Sequence, residues 1–192
     1  MKSKNMLATN ARLEPRQNED FYATNPHALE IFLESLKKDN INLSKNVWEC
    51  ACGQGHLAKV LENKGYIVDK TDIVDRGYFG TKIQNFLNST NNYNGTILTN
   101  PPFVFAEEFV RKGMEILTNN NLLVLFLKVQ FLESKSRKKL FKEYPPKFVY
   151  INSERQHTAK DANFDKYRLA TLCFCWFIWQ KGYTGETIIR WI

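Results

Sequence analysis

Asn46-Val47-Trp48-Glu49-Cys50-Ala51-Cys52-Gly53-Gln54-Gly55 is the stretch on which the fold turns. Its first half is short and rich in β-forming residues, and its second half is small residues ending in a glycine pair. Residues 56–64 follow with helical spacing at Leu57, Val60 and Leu61, and Gly65 closes that helix as a C-cap. Residues 66–72, ending in Asp72, read as a second strand. Strand, glycine turn, helix and strand within about thirty residues is the size of a βαβ unit, whose strands run parallel through a right-handed crossover.

Working outward, Pro26 opens a helix to Lys38 with an apolar face of Ala28, Leu29, Ile31, Phe32, Leu33 and Leu36. Residues 1–20 are polar and unpatterned and read as an arm; residues 21–192 read as a single domain. Downstream, residues 82–87 are expected to form a short strand, 96–99 a strand, 105–117 a helix and 122–128 a buried strand. A basic helix over 133–142 ends before Pro145-Pro146, and a strand over 148–152 follows. Residues 153–166 form a long polar loop, of a length that compact folds reserve for function or disorder. A long aromatic strand over 167–180 and a short one over 186–192 close the chain. Alternating strand and helix, then adjacent strands, predicts an α/β, Rossmann-like doubly wound sheet, mostly parallel with antiparallel strand(s) at the C-terminal edge. Ligands bind such sheets beyond the carboxyl ends of the strands.

The formal net charge is +7, and its distribution is uneven. Residues 128–168 hold eleven Lys or Arg against five Asp or Glu, a net of +6, which is nearly all the excess. Clustered cations can follow a phosphate backbone; a solvated helix face is the plainer reading of Arg137, Lys138 and Lys139 taken alone. The cysteines fall as Cys50-x-Cys52 and Cys173-x-Cys175. Zinc or a bridge is conceivable, but zinc prefers a longer spacing within each pair, and reduced core thiols are the reading adopted, with no metal expected. No run of eighteen apolar residues and no apolar leader are present, so a cytoplasmic protein is expected.

Asn100-Pro101-Pro102-Phe103 ends the strand over 96–99. An exocyclic amine such as adenine N6 is a poor nucleophile because its lone pair is delocalised into the ring. An Asn side-chain oxygen and the next backbone carbonyl can accept the two amine hydrogens and shift electron density onto nitrogen as it attacks. Two prolines stiffen the loop and remove two N–H donors, and an aromatic ring offers a face to an extruded base. Taken alone, Asn-Pro-Pro is a turn. Two other motifs share its edge of the sheet: the glycine turn, where a backbone can approach a ligand, and Asp72, about twenty residues beyond that turn, where a carboxylate can accept from ribose hydroxyls.

With these motifs in this order the chain resembles the class I S-adenosylmethionine-dependent methyltransferases of the amino-methylating DNA type, in the short form of phages and prophages, over roughly residues 20–192. The resemblance implies that Glu49, Ala51, Cys52, Gly53 and Gly55 form the first cofactor motif, with the acid near the methionine amino group. It implies that Asp72 holds the ribose, and that Tyr22 and Thr24, in Phe21-Tyr22-Ala23-Thr24-Asn25-Pro26, contact the methionine part. Asn85 stands where the family often has an acid that meets the cofactor adenine. The catalytic loop is then Asn100, Pro101, Pro102 and Phe103, and S-adenosylmethionine is the cofactor. A target-recognition domain is missing from the pattern. Specificity is therefore expected from the arm, a second subunit or the loop over 153–168, or not at all, with Lys128, Arg137, Lys138, Lys139, Arg155, His157, Lys160, Lys166 and Arg168 as candidate nucleic-acid contacts.

The expected reaction is methyl transfer to adenine N6, with DNA the partner. A carbon-5 cytosine mechanism needs a nucleophilic cysteine, commonly after proline, and no Pro-Cys pair occurs. RNA methylation and protein-glutamine methylation use the same loop and stay open, as does a binding protein that no longer catalyses.

Overall fold

The computed structural model describes residues 23–153, 158–159 and 173–192. β1 (Ala23–Thr24) leads through Asn25 into α1 (Pro26–Lys38). Asn25 is extended and its side chain accepts from the His27 N–H, while Pro26 sits at the start of the helix, where a missing N–H costs nothing. β2 (Asn46–Glu49), α2 (His56–Asn63) and β3 (Ile67–Asp72) form the expected βαβ unit, with β2 and β3 parallel and Glu49 opposite Lys70. Gly65 follows α2 at φ 85°, the left-handed conformation that ends helices. β4 (Lys82–Ile83), β5 (Thr96–Thr99), α3 (Ala106–Ile116), β6 (Leu122–Lys128), α4 (Lys138–Glu143), β7 (Phe148–Ile151), β8 (Thr158–Ala159), β9 (Phe174–Gln180) and β10 (Ile188–Trp191) complete the order.

One eight-stranded sheet runs β10-β7-β9-β6-β5-β2-β3-β4, while β1 and β8 pair separately as an antiparallel ribbon. Within the large sheet, as far as the described residues extend, only β9 opposes its neighbours β6 and β7; the other pairings are parallel. This is the doubly wound, mostly parallel sheet expected, with its antiparallel member in the C-terminal half. From β2 the chain moves outward to β3 and β4, then returns to β5 on the other side of β2. The strand order therefore reverses between β2 and β5, and a crevice opens there at the carboxyl ends.

Strand alternation builds two cores. Leu123, Leu125 and Leu127 of β6 join Cys175, Phe177 and Trp179 of β9 on the face covered by α3 and α4. Leu122, Val124 and Phe126 join Phe174, Trp176 and Ile178 on the face covered by α1 and α2. Side chains of opposite faces alternate because the strand period is two. Trp176 ties α1 to β9: its ring stacks on Phe32 with centroids 4.7 Å apart, and its Nε1 donates to the Ala28 carbonyl at 3.2 Å. The four cysteines are free thiols, with Cys50, Cys52 and Cys175 buried and Cys173 partly so.

The ribbon strands β1 and β8 were not expected, the second lying inside the loop expected over 153–166, and three expected elements differ. The strand expected over 82–87 stops after Ile83, because Asn85 turns the chain by accepting from the Leu87 N–H and capping a 3-10 turn at Phe86–Asn88. The basic helix expected over 133–142 begins only at Lys138. Ser134 Oγ accepts from the Ser136 N–H, and the Arg137 guanidinium draws in the carbonyls of Gln130, Phe131 and Glu133, so the preceding segment is a 3-10 turn, Val129–Leu132, and a turn over 135–137. β10 pairs in parallel with β7. Both edges of β9 are already taken by β6 and β7, so the final strand adds beyond β7. The arm at 1–20 and the first part of the strand expected over 167–180 lie outside the described residues.

Candidate active site

Glu49, the last residue of β2, turns its side chain under the crevice and is 1% exposed. The Thr99 hydroxyl, from the end of β5, donates to its Oε1, and the Ala51 N–H approaches the same oxygen at 3.4 Å. Burial dominates over these hydrogen bonds and pushes the carboxyl up from 4.5 to about 8, with Asp72 adding to the rise. The group is thus neutral at pH 7 unless a cation joins it.

Asp72, the last residue of β3, is held on both oxygens. Gly53 N–H donates to Oδ2 at 2.7 Å and Val74 N–H to Oδ1 at 3.1 Å. Gly53 can make this bond because its φ is 57°, which turns its amide toward β3. Cys52 N–H donates to the Thr71 carbonyl at 3.0 Å, so the glycine turn is stitched to the end of β3. Gly55 is confined twice. Its φ is 79°, and a Cβ placed on it would lie 2.2 Å from the Tyr78 ring. That ring is held by its hydroxyl, which donates to Glu62 Oε2 at 2.7 Å, and Lys70 binds the other Glu62 oxygen at 2.5 Å.

Asn100 leaves the carboxyl end of β5, and its Nδ2 donates to Thr24 Oγ1 at 2.8 Å. The two proline carbonyls have different fates. That of Pro102 accepts from the Phe105 N–H at 2.9 Å and starts the 3-10 turn Phe103–Phe105. Among the described residues no backbone N–H donates to that of Pro101. Phe103 is half-buried, 5.7 Å from the Phe174 ring, with the Lys128 ammonium 4.6 Å from its centroid. Asn85 lies across the crevice with its side-chain oxygen engaged by Leu87 N–H, which presents its NH2 group as the remaining donor.

A cavity of about 390 Å³ joins these groups. Thr24, Glu49, Ala51, Cys52, Asp72, Asn85, Asn100, Pro101, Pro102 and Phe103 all line it, while Gly53 and Gly55 shape its floor through Asp72 and Tyr78. Its size is that of small-molecule sites in general. Ile73, His56, Arg76, Gln84, Phe86 and Phe105 also line it and were not anticipated. Ile73 carried a usable signal: it directly follows the strand-end acid and is 56% exposed, an apolar surface at a ligand mouth. Phe105 reads in the sequence only as a helix start and Phe86 only as part of the strand expected over 82–87, since periodicity does not distinguish a ring facing a cavity from one facing a core.

The candidate nucleic-acid residues divide. Lys138 and Lys139 are exposed on α4. Arg137 spends its guanidinium on three backbone carbonyls and the Phe131 ring, whose centroid lies 4.7 Å away. Lys128 stands at the Asn100–Phe103 loop rather than with α4. Arg155, His157, Lys160, Lys166 and Arg168 lie outside the described residues, as does Tyr22, expected at the cofactor.

Comparison of the sequence with family models and with curated proteins finds no match. Comparison of the fold with solved structures does. A candidate class I S-adenosylmethionine-dependent methyltransferase from Listeria monocytogenes superposes with a TM-score of 0.65 at 13% identity, over 88% of this chain and 65% of that one. The chain thus spans a little under two thirds of that protein. A candidate RNA methyltransferase from Pyrococcus horikoshii gives 0.62 at 13% identity over 88% and 93% of the two chains. An S-adenosylmethionine-dependent O-methyltransferase from Thermotoga maritima gives 0.55 at 12% identity over 84% and 67%. The chain therefore has the Rossmann-like fold of class I methyltransferases.

Proposed function

We propose that this chain transfers a methyl group from S-adenosylmethionine to an exocyclic amine, and that the amine is adenine N6 in DNA. The observation that carries the reading is Asn100-Pro101 at the end of β5, opening onto the same cavity as Glu49 and Asp72. The donor set suits the cofactor. A buried carboxyl poised near pH 8 is matched by an ammonium group such as that of its methionine part, and Asp72, oriented by two amides, suits a ribose diol. Asn85 would offer its NH2 to a ring nitrogen of the cofactor adenine, in place of the carboxylate common at this position. Bound S-adenosylmethionine supplies the electrophilic methyl group.

The chain's own residues prepare the amine. Asn100 Oδ1 and the Pro101 carbonyl accept its two hydrogens, which localises the lone pair on nitrogen as it attacks. The Pro102 carbonyl is committed to Phe105, which leaves Pro101 as the second acceptor. Phe103 and Phe105 offer rings to an extruded base, the second being 48% exposed. No strong base is needed, because the proton leaves a nitrogen already made cationic. A hydroxyl has one hydrogen and would use only one of these two acceptors, and that favours N-methylation over the O-methylation of the Thermotoga structure.

The basic stretch around α4 favours nucleic acid over a protein amide. RNA is the second reading, because the Pyrococcus candidate RNA methyltransferase shares the fold over nearly its whole length. The test is transfer of labelled methyl from the cofactor to DNA, RNA and protein offered in competition. Label in DNA supports the proposal. Label confined to RNA or protein transfers the reading to that substrate, and cofactor binding without label anywhere supports a binding protein.

A further inference from the structure

The loop that carries Asn100 is held by a residue far away in the chain. Thr24 is 3% exposed, and its hydroxyl accepts from Asn100 Nδ2 at 2.8 Å. A primary amide is a planar group with a donor end and an acceptor end, so fixing the nitrogen fixes where the oxygen lies. Thr24 therefore sets the orientation of the group assigned to the substrate amine.

Thr24 is itself placed by unusual means. β1 is two residues long and does not join the large sheet. Two residues cannot hold a conformation by strand propensity alone. On one side Asn25 caps α1, and on the other β1 pairs with β8, Ala23 opposite Ala159 and Thr24 opposite Thr158. β8 lies within the polar stretch 153–166, whose sequence carries Arg155, His157 and Lys160 on either side of it.

We propose that the β1–β8 ribbon sets the catalytic amide: Thr24 is a positioning residue for Asn100, and the backbone pairing of β8 ties the basic stretch of the chain to that side chain. This rests on the reading of Asn100 given above. It differs from the expectation that Thr24 contacts the methionine part of the cofactor, because it places the effect on the chemical step.

The test follows the Asn100 side-chain NH2 resonances in 15N-labelled full-length protein, identified by their loss in Asn100→Asp, together with single-turnover methylation and cofactor affinity. Thr24→Val is expected to shift these resonances and lower the rate of the chemical step by about 10-fold to 100-fold, with cofactor Kd within about twofold of the wild type, and Thr24→Ser to restore both. The double variant Thr158→Pro, Ala159→Pro, which removes both N–H donors of β8, is expected to move the same resonances. Unmoved resonances in Thr24→Val would overturn the positioning role, as would a weakened cofactor Kd with an unchanged chemical step. Resonances that move in Thr24→Val and stay in the double proline variant would overturn the part played by β8. If wild-type protein methylates no substrate, the functional reading fails, and the resonances still decide whether the ribbon holds Asn100.

Discussion

Glu49 brings a carboxyl into the floor of the cavity with its charge suppressed. Because burial raises its pKa from 4.5 to about 8, the native protein keeps the proton through a range in which the unfolded chain has lost it. The stability this residue contributes is then fully present below about pH 4.5 and is lost as pH rises toward 8. Glu49→Gln removes that slope. The melting temperature of the wild type relative to Glu49→Gln is predicted to fall steadily from pH 5 to about 8 without cofactor; a difference independent of pH would mean the carboxyl is ionised throughout. At this scale the placing of Glu49, Asp72 and Asn100 around one cavity was legible in the sequence, because each stands at or just past the carboxyl end of a strand and each carries a group whose chemistry is specific. Their partners were not. The Thr99 hydroxyl on Glu49 and the Thr24 hydroxyl on Asn100 come from elsewhere in the chain, and threonine in a strand is ordinary.

Among the elements, the β2–α2 turn is the most tightly determined. Gly55 meets a positive φ and a ring at once, so any side chain there strains the backbone and displaces Tyr78. Gly55→Ala is predicted to destabilise the fold by about 1–3 kcal/mol and to weaken cofactor binding. Adding Tyr78→Ala is predicted to recover part of that loss, since it relieves the contact but not the φ. Chemical denaturation of the two single variants and the double decides it, and strict additivity would deny the contact. β6 and β9 could be read from their sequence because each is apolar on both faces, as a central strand requires. β4 and α4 could not be delimited, since side-chain bonds to the backbone, from Asn85 and from Arg137, decide where they start or stop. β1 and β8 have no pattern to read at two residues each.

For the molecule as a whole, the sheet order places the glycine turn, Asp72 and Asn100 on one edge, and under the proposed function the net charge of +7 suits a polyanionic substrate. Lys138 and Lys139 are exposed on α4, whereas Arg137 is bound to carbonyls of its own chain. Replacing Lys138 and Lys139 with alanine is predicted to weaken DNA binding alike for all sequences, lowering the salt slope of log K by about one per lysine in contact with phosphate. Arg137→Ala is predicted instead to lower the melting temperature. Titrations at several salt concentrations separate the two, and an unchanged slope in the lysine variant would remove α4 from the interface.

The central claim is amine methylation by the Asn100 loop, and nucleoside analysis of DNA after incubation with S-adenosylmethionine tests it most directly. The account predicts N6-methyladenine from the wild type and a rate lower by about 100-fold to 1000-fold in Asn100→Ala, with cofactor affinity retained. A methylated product that is not an amine, or N6-methyladenine formed equally well by Asn100→Ala, would contradict it.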